Sequence, residues 1–218
     1  MKKLYFIAII LLSSCKTFWP TDTKKSLGTF WLNKSMFAGQ FCDHDNLSLI
    51  DYRPFKYLNN LKDTNNELCS VQQQDIIKAG TKAEIIEIKY TDQVLVFLKI
   101  ARERGQVSFF RDNLYVFLMP DHVIQKEEVR KYLSQFLTNK DPNPWLITQK
   151  EYIQKAIWSK EPAFGMNREH LKAALGLPLS TQKLTKTSIN EEQELWHYDN
   201  YIITLEEQEV IKINKISY

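Results

Sequence analysis

The sequence predicts an α+β fold in which a small all-β unit precedes a domain of two helices and an antiparallel sheet. Three observations predict this class. Runs rich in β-branched and aromatic residues, divided by glycine and proline, fill residues 71–120. Apolar residues then recur at helical spacing in two stretches after Pro144. From residue 180 onward, alternating apolar and polar residues return, with turn-forming residues between the runs.

The first fifteen residues, MKKLYFIAIILLSSC, have the pattern of an export signal. Lys2 and Lys3 precede an apolar run, and two small residues precede Cys15. The apolar run is much shorter than the roughly 20 residues of a membrane-spanning helix. The end of the run, LSSC, resembles the bacterial lipobox, which implies a signal peptide of residues 1–14 and lipidation of Cys15. The alternative is an ordinary secreted signal with an incidental cysteine.

Residues 15–27 are polar, are broken by Pro20, and predict a tether that lifts the folded part off the bilayer. Each buried acyl methylene contributes about 0.8 kcal/mol, so two or three chains would hold the protein on a membrane. Lys16 follows the cysteine, and by analogy with enterobacterial lipoprotein sorting this favours the outer membrane. We therefore expect a protein anchored in the cell outer membrane and facing the periplasm.

Charge and cysteine content limit the class of partner. The net charge of +3 falls to about +1 once Lys2 and Lys3 are removed with the signal. This balance predicts no nucleic-acid partner, because such binding requires a strongly basic face. Cys42 and Cys69 remain in the mature chain. In an oxidising envelope they predict either one disulfide or two buried free thiols.

Residues 28–120 are predicted to form a β-rich domain. Its first part contains short apolar pieces with irregular connections, and its core, about residues 71–120, contains three strands in a meander. This core resembles the SH3-like barrels of bacterial envelope proteins. The resemblance implies a second function, in which exposed aromatic residues such as Phe109 and Phe110 bind peptidoglycan.

Residues 121–147 are predicted to form a helix followed by a proline-rich linker. In VIQKEEVRKYLSQFL the apolar residues recur at helical spacing, and Asp121 is a candidate N-cap. Pro142 and Pro144 then mark a domain boundary.

Residues 148–218 are predicted to form the helix, helix and sheet domain. Thr148 is a candidate cap for the first helix, and Asn167 and Gly176 specify the two ends of the second. The strands that follow are separated by polar turns, including Asp199-Asn200 and Glu207-Gln208.

The stretch FGMNREHLKAALGLP and the later WHY triplet resemble the SmpA/OmlA (BamE-like) lipoprotein domain. The matching positions are Gly165, Met166, Asn167, Leu171, Leu175, Gly176, Pro178, Trp196 and Tyr198. Asn167 replaces the usual hydroxyl cap and His170 replaces the usual glutamine, and the glycine usual in the last hairpin, near Glu207, is missing. The resemblance implies a role in outer-membrane maintenance or assembly.

Nothing in the sequence predicts catalysis, a cofactor or a metal site. The sequence contains neither the Gly-x-Ser-x-Gly nucleophile elbow nor a glycine-rich phosphate loop. Asp43, His44 and Asp45 have metal-ligand chemistry, but no further ligand follows at a recognisable spacing. Trp196 and Tyr198 share one face of a strand, as core residues packed against the helices or as an exposed partner surface.

The sequence therefore predicts a lipid-anchored, non-catalytic adaptor or scaffold of the cell envelope. The expected partners are the membrane, through the N-terminal lipid, and an envelope protein. Two other functions remain open at this stage: a peptidoglycan-binding module, and an inhibitor of a secreted hydrolase.

Overall fold

The computed structural model describes residues 27–41, 48–51, 71–90, 94–101, 114–185 and 192–216. Within these ranges the chain forms two β-sheets and four helices, none longer than eight residues. No helix among the described residues combines the length and the apolar character that crossing a bilayer requires.

The first sheet contains eight strands drawn from residues 28–138. They are β1 (Gly28–Leu32), β2 (Met36–Phe41), β3 (Ser48–Asp51), β4 (Val71–Ile77), β5 (Lys82–Lys89), β6 (Leu95–Ile100), β7 (Leu114–Leu118) and β8 (Leu137–Thr138). Their order in the sheet is β4-β2-β3-β7-β6-β5-β1-β8. The sheet is mixed, because β3 and β7 run parallel whereas the other neighbouring pairs are antiparallel.

Strand β6 shows why the centre of this sheet is apolar on both faces. Val96 and Leu98 point into the main core, which lies between the first sheet and residues 129–136. Phe97 points into a smaller cluster with Leu49 and Val116 on the opposite face. A strand covered on both faces becomes a continuous apolar run rather than an alternating one. The sequence LVFLKI therefore belongs in the middle of a sheet.

Helix α1 (Lys126–Leu133) covers the main core. Val129 and Leu133 are buried on its inner face, and Phe136, just after the helix, stacks on Phe117 with ring centroids 4.5 Å apart. The helix begins after Gln125, whose backbone N–H donates to Glu128 Oε2 at 3.1 Å. The predicted cap at Asp121 is therefore wrong.

The second sheet is antiparallel and has four strands in the order β12-β11-β10-β9. They are β9 (Ser180–Thr185), β10 (Glu192–His197), β11 (Tyr201–Glu206) and β12 (Glu209–Lys215), and they are preceded by α2 (Asn143–Leu146), α3 (Glu151–Trp158) and α4 (Arg168–Leu175). Leu146, Ile157 and Leu171 from the helices share a core with Trp196 and Ile203.

Both ends of α4 follow the local rules that predicted them. Asn167 is the N-cap, and its Oδ1 accepts a hydrogen bond from the His170 N–H at 2.9 Å. The helix ends at Gly176, whose φ of +89° favours glycine. Helix α3 differs from its prediction, because it begins after Lys150 and the Thr148 hydroxyl donates to the Trp145 carbonyl instead.

The predicted fold class is wrong. We expected a small SH3-like unit within residues 71–120 and then a helix, helix and sheet domain. The protein is instead mostly sheet. Its first sheet has eight strands, including β1, β2, β3 and β8 from outside residues 71–120, its second sheet has four, and its helices are short. The physical reason is long-range pairing: β1 pairs with β5 on one side and with β8 on the other. Local patterns show that strands exist but do not specify their partners.

The segment predicted as a proline-rich linker is packed against the rest of the protein. Leu146 in α2 is buried in the second core together with Ala79. Asn143 Nδ2 donates to the Gly80 carbonyl at 2.9 Å.

Candidate functional site

Three of the predicted site residues lie outside the described ranges. They are the lipidation site Cys15 and the two cysteines of the predicted disulfide, Cys42 and Cys69. Phe109 and Phe110 also lie outside, as do the residues of the Asp43–Asp45 triplet. The lipidation and the disulfide therefore stay predictions.

Trp196 and Tyr198 are buried in the second core, with 4% and 7% of their surfaces exposed. The Trp196 Nε1–H donates to Glu194 Oε2 at 3.0 Å, and the Tyr198 hydroxyl donates to the Gly176 carbonyl at 3.3 Å. Burial raises the pKa of the Tyr198 hydroxyl above its ordinary value. The pair thus forms part of the core and offers no exposed aromatic surface to a partner.

A groove of about 970 Å³ lies between α1 and strands β1 and β5, and we call it the α1 groove. Its volume is at the upper end of the range of roughly 300–1,000 Å³ typical of small-molecule sites. It is lined by Leu27, Phe30, Asn33, Ile85, Ile88, Tyr90, Lys126, Val129, Arg130, Leu133, Ser134, Leu137, Thr138 and Asn139. It combines an apolar lining with a small number of polar groups, the usual composition of a ligand site.

The charge of the α1 groove comes from one side of helix α1. Lys126 and Arg130 are four residues apart and therefore lie on the same face, with Val129 and Leu133 beside them. Among the described residues that line the groove, none is acidic. The described part of the chain also provides no acidic partner for either cation. The wall of the groove is therefore cationic.

Asn33 lines the groove directly after β1, where its backbone N–H donates to the Phe136 carbonyl at 3.0 Å. Its side-chain Oδ1 is buried and has no hydrogen-bond donor among the residues that the structure describes. Such a group costs about 1–3 kcal/mol, and native proteins leave few of them. Asn33 thus contributes a polar group to the lining of the groove.

A second polar arrangement is centred on Ser35. It joins two halves of the fold: the first sheet with helix α1, and the second sheet with helices α2, α3 and α4. Ser35 is fully buried, its Oγ–H donates to the Ile157 carbonyl at 2.8 Å, and its Oγ accepts from the Ala79 N–H at 3.0 Å. The Ser35 N–H donates to the Ala173 carbonyl at 3.1 Å. One residue between β1 and β2 therefore holds both α3 and α4 against the first sheet.

Lys160 completes this Ser35 node. Its Nζ donates to the Ser35 carbonyl at 2.7 Å and to the Ala174 carbonyl at 3.1 Å, and lies 4.9 Å from the centre of the Phe37 ring. Burial and the nearby charge of Lys34 lower the pKa of Lys160 to about 7. A neutral amine has two N–H groups, and the two carbonyls accept both.

Lys34 and Asp51 lie buried beside Lys160. Burial lowers the pKa of Lys34 to about 8, partly offset by the attraction of Asp51. The node thus places two lysines and one carboxylate in the interior. The Lys160 amine is hydrogen-bonded to the carbonyls of Ser35 and Ala174, so it joins helix α4 to the segment before β2. Because the pKa of Lys160 is near neutral, the strength of this contact depends on pH.

His170, in helix α4, is a second titratable residue whose side chain makes structural hydrogen bonds. Its Nδ1 accepts from the Asn167 N–H at 3.0 Å, so the neutral ring carries its proton on Nε2, which lies 2.8 Å from Gln149 Oε1. Burial lowers the pKa of His170 below its ordinary value. Protonation would place a second proton on Nδ1, facing the Asn167 N–H, and would break the cap.

We expect His170→Gln to remove a loss of stability at low pH. In the native protein the His170 pKa is lowered, so stability is fully present above the unfolded pKa of about 6.5 and falls as pH drops below it. Glutamine can accept the same Asn167 N–H without titrating, so stability at pH 7.5 should change by less than about 0.5 kcal/mol. Urea unfolding at pH 7.5 and pH 5 measures this. If the native protein and His170→Gln lost the same amount of stability between pH 7.5 and pH 5, the role assigned to His170 would be contradicted.

The described residues contain no group of three or more His, Cys, Asp or Glu side chains that could hold a metal ion. Comparison with protein-family models, with curated proteins and with solved structures found no match. The resemblance to the BamE-like domain therefore stays a prediction.

Sequence reasoning missed both the α1 groove and the Ser35 node. A signal for the groove was present, because Lys126 and Arg130 flank the apolar stripe of α1 at a spacing of four residues. No comparable signal marked Ser35 or Lys160, whose contact joins residues 125 positions apart.

Proposed function

We propose that this protein is a lipid-anchored, non-catalytic lipoprotein of the cell envelope that acts as an adaptor or scaffold at the outer membrane. The observation that carries the proposal is the lipobox-like LLSSC at residues 11–15, followed by a polar tether. The lipid supplies the membrane attachment, and the folded part supplies the surface for a protein partner.

The tether supports this arrangement. Leu27, which lines the α1 groove, lies twelve positions after Cys15. A chain extends at most about 3.5 Å per residue, so the groove lies within about 40 Å of the anchor along the chain. The folded part is therefore expected to work close to the bilayer surface.

The Ser35 node supports a scaffold. Buried hydrogen bonds from Ser35 and Lys160 join the first sheet to α3 and α4. A unit joined in this way can present its two halves to a partner in a fixed relation, which reduces the ordering cost of binding.

Two leucines provide the apolar surface to be tested for a partner. Leu177 and Leu179 follow helix α4 and expose 55% and 71% of their surfaces. Exposed apolar side chains close together are typical of protein contacts.

The test combines fractionation with crosslinking in intact cells. Density-gradient fractionation of cells that express the full chain should place it in the outer membrane. A photoreactive residue at Leu179 should then give one discrete crosslinked species, whereas the same residue at the exposed polar position Gln135, just after α1, should not. Recovery in the soluble fraction would contradict the anchor, and an uncrosslinked chain at Leu179 would contradict this adaptor surface.

A further inference from the structure

We propose that the α1 groove binds a single long-chain fatty acid, with the acyl chain along the apolar lining and the carboxylate at Lys126 and Arg130. This ligand site goes beyond the adaptor role and can be tested without it.

The apolar lining suits one extended hydrocarbon chain. Phe30, Ile85 and Ile88 from β1 and β5 face Val129 and Leu133 from α1 across the groove. Burial of hydrocarbon in such a site contributes about 0.8 kcal/mol per methylene, so affinity should rise with chain length. The volume of about 970 Å³ is sufficient for one such chain.

The charges of the groove select an anionic head group. Lys126 and Arg130 are cationic, exposed, and close enough along α1 to contact one head group together. The planar guanidinium of Arg130 matches the two oxygens of a carboxylate, and Lys126 adds a second charged donor. No acid among the described lining residues opposes this charge.

Asn33 adds one polar group to the lining of the groove. Its Oδ1 is buried at the groove and has no donor among the described residues. A carboxylate only accepts hydrogen bonds, so this amide oxygen is not a contact of the fatty-acid head group, which is assigned to Lys126 and Arg130 instead.

The experiment measures binding of cis-parinarate, a fluorescent fatty acid with 18 carbons, to residues 15–218 with Cys15→Ala, expressed without the leader and therefore carrying no acyl chain of its own. We expect a dissociation constant of about 10 μM. Palmitate should displace the probe, whereas octanoate should displace it at least tenfold less well because its chain is shorter. Hexadecanol, which has no charge, should also compete about tenfold less well than palmitate.

The charge assignment is tested by the double variant Lys126→Gln, Arg130→Gln. It should weaken parinarate binding about tenfold, because the carboxylate loses both charged donors. The matched control Lys131→Gln, Lys140→Gln removes the same charge at exposed positions outside the groove and should change binding less than twofold. All four side chains are exposed, so both variants should fold.

Several results would overturn the proposal. They are no saturable parinarate binding, equal loss in the two double variants, or equal competition by hexadecanol and palmitate. Displacement by palmitoyl lysophosphatidylglycerol but not by palmitate would overturn the carboxylate assignment. Failure of the membrane fractionation alone would affect the adaptor proposal and leave this site standing.

Discussion

Replacing Ser35 by alanine should destabilise the protein by about 3 kcal/mol, one of the two largest effects that we expect. The Ser35 hydroxyl donates to the Ile157 carbonyl and accepts from the Ala79 N–H in a fully buried position. Alanine removes both hydrogen bonds. The buried Ala79 N–H then has no acceptor among the described residues, whereas the Ile157 carbonyl keeps the Lys160 N–H at 3.2 Å. An unpartnered buried N–H costs about 1–3 kcal/mol, and the lost hydrogen bond to Ile157 adds about 1 kcal/mol. Urea unfolding at pH 7.5, followed by circular dichroism, measures the loss.

The matched control is Ser134→Ala at the end of helix α1. The Ser134 hydroxyl also donates to a backbone carbonyl, that of Lys131 at 2.7 Å, but the side chain is exposed. Water can replace this hydrogen bond, so the loss should stay below about 0.5 kcal/mol. If Ser35→Ala cost no more than Ser134→Ala, the Ser35 node would not hold the two halves together.

The second large effect concerns pH: stability of the native protein should rise as pH increases from about 7 to 9.5. The pKa of Lys160 is about 7 in the fold and about 10.5 when unfolded, so the unfolded state binds more protons over this range. Lys34, with a pKa of about 8, adds to the rise above pH 8. Each lysine contributes about 1 kcal/mol per pH unit in its range.

Lys160→Met should remove about half of this rise, since Lys34 remains. The methionine keeps an apolar stem near Phe37 and removes the titrating amine. Urea unfolding midpoints at pH 7, 8, 9 and 9.5 measure the slope. Lys150→Met, which changes an exposed lysine, should keep the native slope. The same slope in Lys160→Met as in the native protein would contradict a buried, proton-poor amine at this position.

The unfolding measurements end at pH 9.5 because deprotonation of Tyr198 at higher pH lowers the stability, opposite to the effect of the lysines. Its pKa is raised in the fold, so stability is lost as pH rises through the unfolded tyrosine pKa of about 10. Below that pH the tyrosine is protonated in both states, and the lysines dominate the slope.

Elements with local signals could be predicted from the sequence. Asn167 and Gly176 bound α4 as expected, and turns at Asp199-Asn200 and Glu207-Gln208 separate three strands of the second sheet. Caps and tight turns depend on a few neighbouring residues, so the sequence contains the information that specifies them.

The first sheet could not be predicted, because its order depends on contacts between distant segments. Residues 28–32 show a strand-like mixture of aromatic residues, but nothing local indicates that β1 lies between β5 and β8. The burial of Lys160 could not be predicted for the same reason. Lys160 follows α3 in a polar stretch and is buried by tertiary contacts with Ser35 and Ala174. The α1 groove exists only once α1 has packed beside β1 and β5.

The membrane anchor is the central claim, and intact-mass spectrometry of the purified mature protein tests it most directly. We predict a chain that begins at Cys15, lacks residues 1–14, and carries the additional mass of a diacylglyceryl group and an amide-linked acyl chain. Cys15→Ala should lack that mass and retain the leader. A native chain with an unmodified Cys15, or with residues 1–14 still attached, would contradict the account.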